Sequence, residues 1–216
     1  MSSAFLSDFE DRKRQVRHYL AIVISAERIA GLGTSTRTQE RRLLTLRAGT
    51  FLILYNLIEA TTRGAVQAIH DQITTERVAF GSLTMKMRAE VVRRFKLRAD
   101  PEVNHTMEDL PSRFVAVALD KQVYFSGNVD ARYIKELGAC YGFSCRTSAS
   151  SRDGIDLLTI KDKRNDLAHG IQTFEEVGRD YTASDLLSLS RGSLSYMDGI
   201  LKNIASYLEA RGYLDR

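Results

Sequence analysis

Only two prolines, Pro101 and Pro111, occur in the 216 residues, so a hundred residues pass before the first one can break a helix. Apolar residues recur at three and four through most of that length, the spacing of one helix face. Hydrophobic residues make up 44% and charged residues 27%, which suits a packed core and not a disordered chain. The reading is therefore all-α: a bundle of five to seven helices in a single domain over 1–216, with 1–38 separable as an N-terminal helix and loop.

Residues 3–31 read as the first helix, capped by Ser2 or Ser3, with a stripe of Val16, Tyr19, Leu20, Val23 and Ala30. Residues 39–78 carry the longest pattern, through Leu43, Leu46, Phe51, Leu54, Leu57 and Ile58 to Ile73. A further helix spans 83–98, and Pro111 can start a short one. Residues 121–127 read as loop or extended chain. Asn128 or Asp130 caps a helix that Gly142 ends. The Ser-rich stretch 144–153 reads as a mobile loop. Asp153 is expected to cap a helix over 154–169, with Ile155, Leu158 and Leu167 facing the core, and 171–181 to form a loop. Thr182 and Asp185 open the last helix with a capping box, and it runs to about residue 211.

Charge is uneven. Residues 1–100 hold 17 Lys and Arg against 10 Asp and Glu, and the remainder 14 against 17. A basic front half suits a polyanionic partner. The densest patch is Arg88, Arg93, Arg94, Lys96 and Arg98, either a contact for RNA phosphates without sequence preference, with Arg88, Arg93, Arg94 and Lys96 as the candidates, or a solvated helix face. The run Arg12, Lys13, Arg14, Arg17 reads as a solvated helix face. Cys140 and Cys145 lack zinc spacing, no cofactor is expected, and no membrane span or apolar leader is evident, so a reducing cytoplasmic setting is expected. The sequence holds no phosphate-cradling glycine loop, carboxylate–metal cluster or Ser-His-Asp arrangement.

The chemistry concentrates in Lys161 to Gly170, K-D-K-R-N-D-L-A-H-G. An arginine five to seven residues before a histidine is not informative by itself, because all four histidines have one: Arg12–His18, Arg63–His70, Arg98–His105 and Arg164–His169. Context separates them. Only Arg164 is followed by a side-chain amide, Asn165, and only His169 sits between a small residue and a glycine, where a chain end exposes the ring.

The segment R-N-D-L-A-H-G resembles the arginine–histidine signature of HEPN domains. Y-N-L-I-E-A-T from Tyr55, G-N-V-D-A-R from Gly127 and F-E-E-V-G-R-D-Y-T from Phe174 look like its MAE-type branch, so that the resemblance runs from about Leu43 to the C-terminus. It implies an all-helical homodimer and, commonly, metal-independent RNA cleavage in toxins or phage defence, with an antitoxin or defence-system partner. Arg164, Asn165 and His169 are then the candidate catalytic residues, Glu59, Asp166 and Arg179 the supporting ones, and Lys161 and Lys163 a widening of the anion site.

Such a nuclease uses the RNA 2′-hydroxyl as nucleophile. It needs a base, an acid and positive charge on the phosphorane. Imidazole titrates near neutrality, and guanidinium presents a permanently charged fork. Five helical residues turn the side chain by about 140° and advance it about 7.5 Å. Arg164 and His169 therefore meet only if the helix ends first, or if two protomers face each other across a two-fold axis. Two alternatives stand beside this reading: a dimer that binds RNA or a nucleotide without cutting it, and a protein-interaction module. Arg164 and His169 could also merely satisfy helix-terminal carbonyls, and Glu59 could pair with Arg164 or, locally, with Arg63.

Overall fold

The computed structural model describes residues 4–32, 36–97, 110–119 and 127–215. Among these it is all-helical, without a strand; a lone antiparallel bridge joins Leu83 to Leu214. The helices are α1 (Ala4–Ala30), α2 (Arg37–Thr75), α3 (Met85–Leu97), α4 (Leu110–Leu119), α5 (Ala131–Tyr141), α6 (Ile155–Ala168), α7 (Phe174–Arg179) and α8 (Ala183–Glu209). Residues 121–126 and His105 lie outside the described residues, as do Ser2 and Ser3.

α2 is the axis of the bundle. Its 39 residues start from a capping box in which Thr36 and Gln39 satisfy each other's backbone donors. By length and composition it is the one helix among the described residues able to cross a membrane. Here its apolar residues fill the core: Ala48, Phe51, Leu54, Ile58, Ala65, Ile69 and Ile73 are fully buried. α1, α6, α7 and α8 pack around it, and α4 reaches its C-terminal part. Phe5, Phe9, Val16, Leu20 and Val23 place α1 in the same core, so the N-terminal helix shares its packing with the rest.

Three local differences from the sequence reading have physical causes. Residues 174–179 form a helix, α7, where a loop was expected, because Thr173 and Glu176 make a second capping box. The stretch 144–153 is packed and not a free loop. Ser148 and Ser150 bond Ser195 on α8, Asn203 donates to the Arg146 carbonyl, and Ser151 is buried in a short 3-10 turn, Ala149–Gly154. Asp153 does not cap α6. Arg152, Asp153 and Gly154 all take left-handed backbone angles, Gly154 becomes the cap position, and the Asp153 carboxylate pairs with Lys135 at 2.6 Å.

Candidate functional site

The turn before α6 sets the helix's rotation. Asp156, Leu157, Ile160 and Leu167 face inward. Ile155 and Leu158 are 60% and 45% exposed, contrary to the inward assignment. Nine residues separate Leu158 from Leu167, about two and a half turns, so the two must point to opposite sides. The outward side carries Ile155, Leu158, Asp162 and His169, all exposed, with Asn165 half-buried among them.

α6 ends at Ala168. His169 is the C-cap at φ −95°, and Gly170 follows at φ +67°. The Ile171 amide donates to the Asp166 carbonyl at 2.8 Å and the Gly170 amide to that of Leu167 at 3.4 Å, the two bonds of a Schellman cap. Backbone donors thus satisfy the last carbonyls, and the imidazole is not used for that purpose. The His169 side chain is exposed and, among the described residues, makes no hydrogen bond or ion pair. Asp166 shares the last turn and lies 3.6 Å from the Lys163 ammonium.

Arg164 points the other way, toward α2. Its guanidinium carbon stands 4.3 Å from the centre of the Tyr55 ring, a stacking contact. Nη1 donates to the Asn165 side-chain carbonyl at 2.8 Å and to the Gly127 carbonyl at 3.3 Å. Nη2 lies 4.0 Å from Glu59 Oε2, while Glu59 Oε1 accepts from Arg63 at 2.5 Å, so Glu59 joins both of its alternative partners. Asn165 in turn donates to Asn128 at 3.2 Å, and the Val129 amide donates to the Tyr55 hydroxyl at 3.1 Å. Burial raises the Tyr55 phenol's pKa, the Val129 amide opposes the rise, and the neighbouring Glu59 adds to it. The loop Gly127–Val129 is therefore sewn to both motif helices. Gly127 sits at φ +76°, and a side chain there would meet the Arg164 guanidinium at 3.4 Å.

An open cleft of about 380 Å³ lies beside Arg164, lined by Leu52, Tyr55, Asn56, Glu59, Ala60 and Arg63 of α2. Arg12 of α1 donates to Asn56 at 2.9 Å and so reaches its edge. Tyr55, Arg12 and Asn56 were not singled out from the sequence as site residues. Their signal was a polar stripe, Tyr55, Glu59 and Arg63 at intervals of four, interrupting an apolar helix.

The expected cationic contacts are placed as follows. Arg88 donates to the Leu83 and Gly81 carbonyls and to Asp215, tying the C-terminus to the start of α3. Arg93 and Arg94 both bond Glu90, which is 3% exposed. Burial pulls the Glu90 pKa upward, but the two guanidiniums outweigh it and hold the carboxyl below its usual range. Lys96 is exposed. α3 packs on α4 and α5, whereas the motif faces α2. Lys161 is taken up by Asp130 at 2.7 Å, and Lys163 donates to Gln172 at 2.7 Å. Arg179 ends α7 and is exposed. Among the described residues no cluster of His, Cys, Asp and Glu could hold a metal.

A family model described as HEPN_MAE_28990:/-like HEPN matches residues 1–213. No curated protein and no solved structure matches the chain.

Proposed function

The chain belongs to the MAE-type HEPN family, and from that premise we propose that it is a metal-independent endoribonuclease acting as a dimer, in the setting of a toxin or phage-defence effector. The observation that carries this reading is the pairing of opposites on α6. Arg164 is held firmly, by Tyr55, Gly127 and Asn165, while His169 is exposed beyond the last turn with no partner among the described residues. A clamp benefits from being fixed, and a proton-transfer group must stay free.

In the reaction the 2′-oxygen attacks the adjacent phosphorus and the bond to the 5′-oxygen breaks. One imidazole accepts the 2′ proton and a second, protonated, delivers one to the departing oxygen. The products are a 2′,3′-cyclic phosphate and a 5′-hydroxyl. Arg164 stabilises the phosphorane charge, and Asn165 keeps its guanidinium oriented. A single protomer supplies one such imidazole; a two-fold pairing supplies two. The exposed Ile155, Leu158 and Ile171 beside the motif favour that pairing, since they offer an apolar border for the shared groove.

Purified protein is incubated with mixed RNA in EDTA. The wild type is expected to cut. Arg164→Ala and His169→Ala are each expected to lose about a hundredfold or more while keeping their helical content. Undiminished cutting by both variants, or no cutting by the wild type, sinks the proposal. Salt-sensitive RNA binding without cleavage identifies the binding-only alternative.

A further inference from the structure

Away from the motif, α1 and α8 form an open groove of about 520 Å³. Leu20, Ile24, Leu187 and Leu194 line it, and Arg17 and Arg191 stand on its two sides. Ile24, in the groove wall, is 41% exposed. The first helix needs only Val16, Leu20 and Val23 to anchor this half in the core, so Ile24 is left uncovered on the groove side.

The surrounding charges are not equivalent. In the basic run of α1, Arg12 is engaged by Asp8 and Asn56, Lys13 by Glu10 and Arg14 by Asp11. Asp198, the acid of the groove, is neutralised by Lys202 at 2.7 Å. Arg17 and Arg191 are exposed and form no ion pair among the described residues. An apolar floor between two uncommitted guanidiniums is complementary to a helix with leucines on one face and carboxylates beside them. A second copy of this chain would bring the same arginines against each other, so self-pairing here is opposed by charge.

We propose that the α1–α8 groove docks an acidic amphipathic helix of a partner protein. This surface is independent of the α6 motif and stands whether or not the chain cuts RNA. The probe is a fluorescein-labelled peptide of about 20 residues, with leucines at i, i+3, i+4 and i+7 and glutamates beside them. Anisotropy is expected to show saturable binding to the full chain. Arg17→Glu with Arg191→Glu is expected to weaken it about tenfold or more and to accept the lysine version of the peptide instead. Ile24→Asp is expected to abolish it. All three positions are exposed, and an unchanged urea midpoint confirms the fold of each variant. Absence of saturable binding, or equal binding by the charge-reversed variant, overturns the proposal. So does a wild-type oligomer that Ile24→Asp dissociates, which assigns the groove to a second copy. RNA that displaces the peptide from the groove also overturns it.

Discussion

Arg164 is surrounded by groups that leave its guanidinium little freedom: a ring on one face, two carbonyl acceptors at its edge and a carboxylate at 4.0 Å. The clamp role proposed for it depends on shape as well as charge, so Arg164→Lys is expected to lower RNA cleavage about tenfold or more although the charge is kept. Tyr55→Phe retains the stacking surface and loses the hydroxyl's bonds with the Val129 amide and Glu59. It should cost about 1 kcal/mol in urea unfolding and leave cleavage within a few-fold of wild type. Equal cleavage by Arg164→Lys and the wild type would remove the reason for the platform. At this scale, of the residues singled out from the sequence, Arg164, Asn165 and Glu59 lie together in the fold, and His169 stands at the end of the same helix. Tyr55 was passed over, because an aromatic at helical spacing in an apolar run reads as core before it reads as part of a polar stripe, and Tyr55 is indeed 3% exposed.

Among the elements, α6 carries the candidate site, and its two ends are built differently. A run of left-handed residues enters it, and a glycine-based cap ends it within one residue of His169. Gly170 and the capping boxes at Thr182 and before α7 are local signals. Thr182 was recognised, and the one at Thr173 with Glu176 was passed over inside an apparent loop. The rotation of α6 was misjudged because Asp153 looked like a cap and Ile155, Leu158 and Leu167 like one inward face. Asp156 is buried against α8, its pKa raised by burial and restrained by Arg152. The consequence is an exposed apolar border, Ile155 and Leu158, next to the motif. If that border forms the dimer contact, Leu158→Asp should give a monomer in sedimentation and lower RNA cleavage at least about tenfold at equal protein concentration. A monomeric wild type with full activity would refute the shared groove.

Across the whole molecule, stability rests partly on a polar chain inside the bundle. His70 Nε2 bonds the Tyr141 hydroxyl at 2.8 Å, Tyr141 donates to Glu90 at 3.2 Å, and Glu90 holds Arg93 and Arg94, so that α2, α5 and α3 are linked. Burial pushes the His70 imidazole down to about 3, with Arg94 adding to the effect. An unfolded histidine takes up its proton at about pH 6.5, and the folded one resists until far lower pH. This contribution is therefore complete above about pH 6.5 and falls as pH drops toward about 3, at up to about 1.4 kcal/mol per pH unit. Glu90, held low by its arginines, adds a loss in the same direction at the acid end. Urea unfolding at pH 7.5, 6.0 and 5.0 should show the decline, and His70→Phe should flatten it while lowering stability at pH 7.5 by about 1 kcal/mol. An equal slope in the variant would assign the acid sensitivity elsewhere. This network was not legible in the sequence: Arg93 and Arg94 were read as part of a positive patch, and only the packing of α3 on α5 shows that the Glu90 between them and Tyr141 is buried.

The proposed reaction as a whole is tested most directly on an RNA carrying one 2′-deoxy residue at a mapped cleavage position, incubated with the protein in EDTA. Scission is expected to vanish at that position alone, and to leave a 2′,3′-cyclic phosphate and a 5′-hydroxyl wherever it persists. Cleavage continuing at the deoxy position, or products bearing 5′-phosphates, would contradict attack by the RNA's own hydroxyl at the Arg164–His169 site.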